Sequence, residues 1–448
     1  MASKTRWNRR RCHAALSAIL FLFQNTVASC FLIVSPSAVP KISPLQGSSS
    51  SSDSPSQKIL VVGGNGRVGG SAARHIHILS EGNIGLILGG RSEVSFEESK
   101  ARITSQLQQN NGINTKPSIT FQALNLNDDV PTLVKVIKKC GADAVVHTAG
   151  PFQQRTKPTL LEASIQAGVP YVDVCDEPPL CEAGRELSDL AEERGVVAVT
   201  AAGIWPGASA LMAAQAVDTL RQRENNNDAP VDVVMSFFTA GTGNAGATIV
   251  SATFLLLCQK ALTIAGGKIS EKEPWTEAMD VDFRGDQGVK TVRLLDNPDV
   301  FTLYNSIGNI NSLSSRFATA PGLWNQLFGA MKQLVPRNIL ANTDLMQGLS
   351  LFSLPIIRAV DKLVGATNAM RVDASSSGHK CTFIVTHDDL EQCVGLATAA
   401  FIIEILQSGE MAKIKPGVYY PAELPLSSRE SILEQVKRDA IVWDFDVL

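Results

Sequence analysis

The run Gly64-Asn65-Gly66-Arg67-Val68-Gly69 stands directly behind the apolar segment Lys58 to Val62 and in front of a stretch that permits a helix. A strand that turns through glycines into a helix is the phosphate-binding start of a nucleotide-binding α/β sheet. The first glycine makes the tight turn, the second lets backbone N–H groups reach a pyrophosphate, and the third lets helix and strand pack closely. The helix N-terminus adds its own attraction for an anion. The pattern therefore predicts a dinucleotide held by Gly63, Gly64, Asn65, Gly66, Arg67, Val68 and Gly69.

From Lys58 onward, strand-like runs alternate with helical patterns six times. The predicted strands are Lys58 to Val62, Ile84 to Leu88, Ser118 to Ala123, Ala142 to Thr148, Pro170 to Val174 and Val196 to Ala201. They are rich in Val and Ile and mostly lack alternation, as expected of strands covered by helices on both faces. The predicted helices are Val68 to Ser80, Phe96 to Gln109, Pro131 to Lys139, Pro158 to Ala167 and Leu180 to Arg194. Six such repeats predict an α/β fold, a doubly wound parallel Rossmann sheet in the strand order 3-2-1-4-5-6.

After Gly203-Ile204-Trp205-Pro206-Gly207 the texture changes. A helix over Ala208 to Arg221, a strand over Val231 to Phe238 and a long apolar helix over Thr248 to Ala265 are predicted next. Strands at Val289 to Leu295, Arg371 to Ala374 and Lys380 to Thr386 lie apart from crossover helices and alternate more. That pattern predicts a second α+β domain containing a mainly antiparallel sheet. An apolar helix over Val394 to Leu406 is expected to pack back on the first domain. The divisions are 1–56, a presequence; 57–206, the nucleotide-binding domain; 207–388, a substrate or dimerisation domain; and 389–448, a returning helix and tail. Gln259 and Lys260 interrupt the apolar run at Phe254 to Leu257 well short of the ~20 residues of a membrane span, so no stable span is expected after the presequence.

The second strand ends Leu88-Gly89-Gly90-Arg91-Ser92, where an NAD-binding sheet would offer a carboxylate to the ribose 2′-hydroxyl. Arg91 and Ser92 instead both donate, and a planar guanidinium suits a phosphate. NADP is therefore favoured over NAD, with Glu93 the opposing feature and a solvated Arg91 the alternative. Asn127 after the third strand is a candidate adenine contact, or, with Asp128, a helix cap. Thr148-Ala149-Gly150-Pro151-Phe152 places small residues and an aromatic where the nicotinamide half belongs, which assigns Ala149, Gly150, Pro151 and Phe152 to the cofactor.

Proton donors must stand at the carboxyl ends of the strands. Asp173, Asp176 and Glu177 cluster after the fifth strand, where repulsion would raise one pKa, so Asp176 and Glu177 are catalytic candidates. His147, ending the fourth strand, is a third candidate because an ordinary imidazole titrates near neutral pH. The alternatives are a turn and cap for the acids and a hydrogen-bonded structural histidine. Arg155 and Lys157 stand where a substrate carboxylate would bind, or are solvated charges. Cys175 lacks a visible base or cation to activate it. Thr239-Ala240-Gly241-Thr242-Gly243-Asn244-Ala245-Gly246 repeats the glycine pattern but opens no second six-strand unit, and reads as a tight turn.

With 40 basic and 43 acidic residues and a formal net charge of −3, the chain has no positive excess of the kind that tracks nucleic acid. The eight cysteines form no Cys-x-x-Cys pair and no His-Glu-x-x-His occurs, so no metal is expected. The first 56 residues differ: Arg6, Arg9, Arg10 and Arg11 precede the apolar run Ala14 to Phe23 and the small residues Val27-Ala28-Ser29-Cys30, a signal-peptide pattern. Phe31 to Ser56 holds ten serines, four prolines and the single acid Asp53, and resembles a transit peptide. The junction is similar to the bipartite presequence of complex plastids, which predicts plastid import; the alternative is secretion.

Gly63 to Gly70, the Gly-Gly-Arg-Ser turn, Thr148 to Phe152, Ala167-Gly168-Val169-Pro170-Tyr171-Val172-Asp173 with Glu177, and Gly203 to Gly207 together resemble the saccharopine dehydrogenase-like oxidoreductases. The resemblance covers about residues 57 to 215, with Gly417-Val418-Tyr419-Tyr420-Pro421 similar to the family's closing segment. It implies an NADP-binding Rossmann domain joined to a second domain, a homo-oligomer, and hydride transfer between NADP(H) and a small organic substrate, an imine or amino-acid-derived compound. A short-chain dehydrogenase would need a tyrosine with lysine four residues on, and none of the four tyrosines has one. The competing expectation is a non-catalytic NADP-binding redox sensor or scaffold.

Overall fold

The computed structural model describes residues 57–109, 117–150, 155–241, 254–411 and 414–448. The presequence 1–56, Pro151, Phe152 and the glycine run from Thr242 onward lie outside them.

The first half is built as its apolar runs dictate. β1 (Gln57–Val62), α1 (Arg67–Leu79), β2 (Ile84–Gly90), α2 (Glu93–Gln109), β3 (Ile119–Ala123), α3 (Val130–Cys140), β4 (Ala144–His147), α4 (Thr159–Ala167) and β5 (Tyr171–Asp173) follow in turn. α5 (Pro178–Arg185), α6 (Ser188–Arg194) and β6 (Val197–Val199) complete the unit. All six strands pair in parallel, in the order 3-2-1-4-5-6. Ile59, Leu60, Val61 and Val62 are all within 1% of full burial, so β1 is covered on both faces and its uninterrupted apolar run follows. Two expectations change in detail. The segment Leu180 to Arg194 is two helices, and a seventh strand, β15 (Gly417–Tyr419), pairs in parallel with β6.

The chain then enters α7 (Ala208–Arg223) and β7 (Val231–Ala240). The predicted helix over Thr248 to Ala265 is corrected: Phe254 to Leu256 are helical, but Ala261–Ala265 is β8, turning through Gly266 and Gly267 into β9 (Lys268–Lys272). Both glycines have positive φ, 57° and 72°, as a two-residue hairpin turn requires. β10 (Met279–Asp282), β11 (Val289–Leu294), α8 (Pro298–Ser306), β12 (Ile310–Ala320), α9 (Gly322–Leu334), α10 (Arg337–Leu340), α11 (Thr343–Val364), β13 (Thr367–Ser376) and β14 (His379–His387) follow. α12 (Leu390–Met411), β15, α13 (Leu426–Val436) and β16 (Ala440–Val447) end the chain. The second sheet runs β10-β11-β12-β7-β13-β14-β16, with β8 and β9 paired off β12. It is mostly antiparallel, but β7 and β12 are parallel over their length, so the sheet is mixed.

One continuous core joins the α1 face of the first sheet to the second sheet, while a smaller core fills the opposite face under α3, α4 and α6. The predicted apolar helix is α12, and it packs on α1 of the first domain. The crossing is close: a Cβ on Gly395 would lie 2.6 Å from the Ser71 Cβ. Leu390–Gln407 is long and apolar enough to cross a membrane, but 72% of that window is buried inside the fold. The tail serves both sheets, β15 extending the first and β16 the second. Where the second domain begins, Asp299, buried at the start of α8, accepts from the Gly207 amide at 3.2 Å and from the Ser209 hydroxyl, capping α7.

Candidate functional site

The glycine loop has the geometry its sequence requires. Gly63 sits at φ +83°, and a Cβ there would lie 2.7 Å from the Ala149 amide nitrogen. On Gly69 a Cβ would strike the Gly63 carbonyl and come within 2.5 Å of the Thr148 hydroxyl. Backbone therefore packs on backbone, and the turn after β4 is pressed against the turn after β1. Thr148 completes the contact by donating from both its amide, at 2.9 Å, and its hydroxyl, at 3.0 Å, to the Val62 carbonyl.

Gly66 caps α1 with no side-chain hydrogen bond, and the first turn carries no acid. The free amides and the positive end of the helix dipole are thus left for an external anion. This fits a dinucleotide pyrophosphate. Arg67, in that first turn, reaches 3.6 Å toward Glu391 at the start of α12.

Arg91 and Ser92 are exposed at the end of β2 and joined to the same loop, because the Asn65 amide group donates to the Ser92 carbonyl at 3.1 Å. The Ser92 hydroxyl accepts from the Ser95 amide at 3.2 Å and keeps its own proton for a phosphate. Two residues of α2 escaped the sequence reading. Ser99 donates to the Asn65 carbonyl at 2.6 Å, and Arg102 donates to the Gly66 carbonyl at 3.0 Å and to Ser99 at 3.2 Å. They brace the loop from 34 and 36 residues away, and only the helix geometry reveals them. Asn127 is exposed after β3, its amide accepted by the Asn125 side chain at 3.2 Å. The expectation that Asn127 or Asp128 caps the next helix is corrected: Asp129 caps α3, accepting from the Thr132 amide at 3.0 Å.

A buried polar chain crosses the carboxyl ends of β4 and β5. His147 Nδ1 lies 2.8 Å from the Tyr171 hydroxyl, and that hydroxyl donates to Asp173 Oδ2 at 3.1 Å. The other oxygen, Asp173 Oδ1, accepts from the amides of Cys175 at 3.0 Å and Ala201 at 2.8 Å. Burial pushes the His147 imidazole down to about 3, with the Arg155 guanidinium adding to the effect. The expected titration of His147 near neutral pH is therefore corrected: desolvation keeps the ring neutral. Burial pushes the Asp173 carboxyl the other way, up to about 6, against the pull of its amide and hydroxyl donors.

Asp176 and Glu177 share the loop between β5 and α5. Asp176 is exposed and Glu177 half-buried. Burial raises the Glu177 pKa first, followed by repulsion from Asp176 and from Asp296 of the second domain. Asp173, expected in the same cluster, instead turns inward. Cys175 is no nucleophile, because the neighbouring Cys181 thiol and burial hold its pKa well above the ordinary thiol range. Trp205 packs at the junction, stacked on Phe237 at 5.1 Å between ring centroids and donating to Asn368 at 2.7 Å. Among the described residues no group of His, Cys, Asp or Glu is arranged to hold a metal ion.

Residues 59–199 match the saccharopine dehydrogenase NADP binding domain. Over 130 residues the chain is 28% identical to the carboxynorspermidine synthase of Vibrio alginolyticus, a stretch covering 27% of this chain and 30% of that protein. The chain thus spans less than a third of the length of this curated relative. In fold it is similar to the apo saccharopine dehydrogenase (L-Glu forming) of Saccharomyces cerevisiae, with a TM-score of 0.58 and 14% identity over 88% of this chain and 100% of that one. The uncapped glycine loop lies within the stretch that matches the saccharopine dehydrogenase NADP binding domain, and NADP is the cofactor of this Rossmann domain.

Proposed function

We propose that this chain transfers a hydride between NADP(H) and a small organic substrate, an imine or amino-acid-derived compound. The observation that carries the reading is the phosphate cradle: glycines pressed on the β4 turn and an uncapped helix N-terminus, within the stretch matching an NADP-binding domain. The substrate class is supported by the relatives, a carboxynorspermidine synthase by sequence and a saccharopine dehydrogenase by fold. Bound NADP(H) supplies the hydride, and the chain's own residues bind, orient and manage the proton. Gly63 to Gly69 grip the diphosphate, Arg91 and Ser92 receive the 2′-phosphate, and Ala149 and Gly150 flank the nicotinamide half.

Glu177 is the proposed proton donor. It stands at the carboxyl end of β5, and burial, followed by the carboxylates of Asp176 and Asp296, raises its pKa above the ordinary glutamate value, the direction that favours a proton donor. Asp176 supports it through charge, and His147 acts as a neutral hydrogen-bonding group. Mixtures of primary amines with 2-oxo acids or aldehydes, followed by nicotinamide absorbance, test the reading. Substrate-dependent loss of NADPH is expected, and NADPH bound without turnover by any mixture would make the protein a sensor. In the Glu177→Gln variant kcat should fall about 100-fold or more with NADPH affinity unchanged; an unchanged kcat removes Glu177 from the role.

A further inference from the structure

A small cavity lies beside β4 and β5, at the start of α4. It holds about 20 Å3, room for about one water molecule, and His147, Tyr171, Asp173 and Thr200, all buried, form its inner wall. Half-buried Arg155 and exposed Lys157 stand on its solvent side. The first turn of α4, from Thr159 to Leu161, lines the remainder.

Donors converge on this space. Pro158 caps α4 with no side-chain hydrogen bond, and the helical bonds begin only at the Glu162 amide, which donates to the Pro158 carbonyl at 3.0 Å. The amides of Thr159, Leu160 and Leu161 therefore have no acceptor within the helix, and the positive end of its dipole lies at the cavity. The Thr200 hydroxyl, on a residue 2% exposed, has no hydrogen-bond partner, which costs free energy until something in the cavity accepts from it. Arg155 gives one N–H to the Leu126 carbonyl at 3.3 Å and keeps the rest of its fork. Its charge reaches the inner wall, where it helps to hold the buried His147 ring neutral. The acid of the lining is already engaged: Asp173 Oδ1 accepts from two amides and Oδ2 from the Tyr171 hydroxyl. Glu162, in the same turn of α4, accepts from Gln166 at 3.1 Å.

We propose that this cavity seats the carboxylate of the substrate, so that the compound reduced or oxidised is an oxo acid or an amino-acid-derived acid and not an amine or aldehyde lacking that group. Its assignment to the substrate rests on the hydride-transfer reading above, whereas the carboxylate site itself stands on the converging donors. An ionised carboxyl only accepts hydrogen bonds, and here it meets a helix N-terminus, a hydroxyl and a guanidinium. One oxygen enters to accept from Thr200 and the α4 amides, and the other stays at the mouth with Arg155 and Lys157. A phosphate is too large for the space, and an ammonium group would meet two cations at the entrance. β4 leads from His147 into Ala149 and Gly150, the turn assigned to the nicotinamide half, so an acid seated here lies at the cofactor end of the sheet.

The test is calorimetric titration of the full chain, free and loaded with NADP+, with pyruvate, 4-oxobutanoate, 2-oxoglutarate and the neutral amides of the same acids. At least one acid should bind, and its amide about 10-fold more weakly or worse. Arg155→Gln and Thr200→Val should each weaken that acid about 10-fold or more with NADPH affinity unchanged, and Thr200→Ser should restore it. Because Thr200→Val removes a hydroxyl that has no partner, its melting temperature without ligand should be no lower than that of the unsubstituted chain; a lower one would assign the hydroxyl to the fold instead. No binding of any acid, equal binding of acid and amide, or undiminished binding by both variants overturns the carboxylate site. Turnover separates this failure from that of the activity reading. Acids that bind here yet never oxidise NADPH with any amine defeat hydride transfer and leave the site standing. Equal turnover of aldehydes with and without a carboxylate, unaffected by Arg155→Gln, defeats the site and leaves hydride transfer standing.

Discussion

At the scale of single residues the account turns on atoms that glycine lacks. Gly63 and Gly69 were visible in the sequence as glycines, but their purpose is visible only in the Ala149 nitrogen and Thr148 hydroxyl that fill the missing Cβ space. Gly63→Ala places a Cβ 2.7 Å from backbone and asks alanine to hold φ +83°. It should destabilise the chain by about 2 kcal/mol or more and weaken NADPH binding at least 10-fold, read by thermal unfolding and NADPH fluorescence. Unchanged binding would show that the two turns need not touch. The candidates for chemistry were less legible. Asp173, Asp176 and Glu177 are neighbours in sequence, yet β5 sends Asp173 inward to two amides while Asp176 faces solvent. Burial, which no spacing rule records, separates them and also makes His147 neutral.

At the scale of elements, hydrophobic pattern was a good guide where it was uniform. The six parallel strands are covered on both faces, so their apolar runs announce them, and short connections fix their order. The second sheet was harder to read. β12 mixes Ser312, Ser314 and Ser315 with its apolar residues, and β8 continues an apolar run that resembled a helix until Gly266-Gly267 turned it back. The returning helix makes the element-level prediction. Gly395 lets α12 approach α1 so closely that an added methyl meets Ser71. Gly395→Ala should cost about 1–3 kcal/mol by forcing the helices apart. Because α1 begins at the phosphate cradle, NADPH affinity should fall with it, and a melt and titration matching the unsubstituted chain would contradict that linkage.

At the scale of the whole molecule, titrating groups buried in both domains set the response to pH. Burial pushes Asp299 up to about 7, against its Ser209 and Gly207 donors. A carboxyl whose folded pKa lies above its unfolded value stabilises most below the unfolded value and loses that contribution as pH rises through the folded one. Between about pH 4 and about pH 7 the chain should therefore lose stability relative to Asp299→Asn by about 1.4 kcal/mol per pH unit, levelling above that range. A gap in melting temperature that ignores pH would contradict this. His75 and His147, both lowered to about 3 by burial, act oppositely. Their contribution is complete above about pH 6.5 and is lost as acid protonates the unfolded chain.

The central claim is that one glycine-lined cradle and one guanidinium select NADP for this fold. Direct titration of NADPH and NADH into the folded chain and into Arg91→Ala tests it most closely. The account predicts tighter NADPH binding by the unsubstituted chain, with Arg91→Ala losing about 10-fold or more of its NADPH affinity and almost none for NADH. Equal loss for both coenzymes would remove Arg91 from the 2′-phosphate, and binding of neither coenzyme would contradict the account at its base.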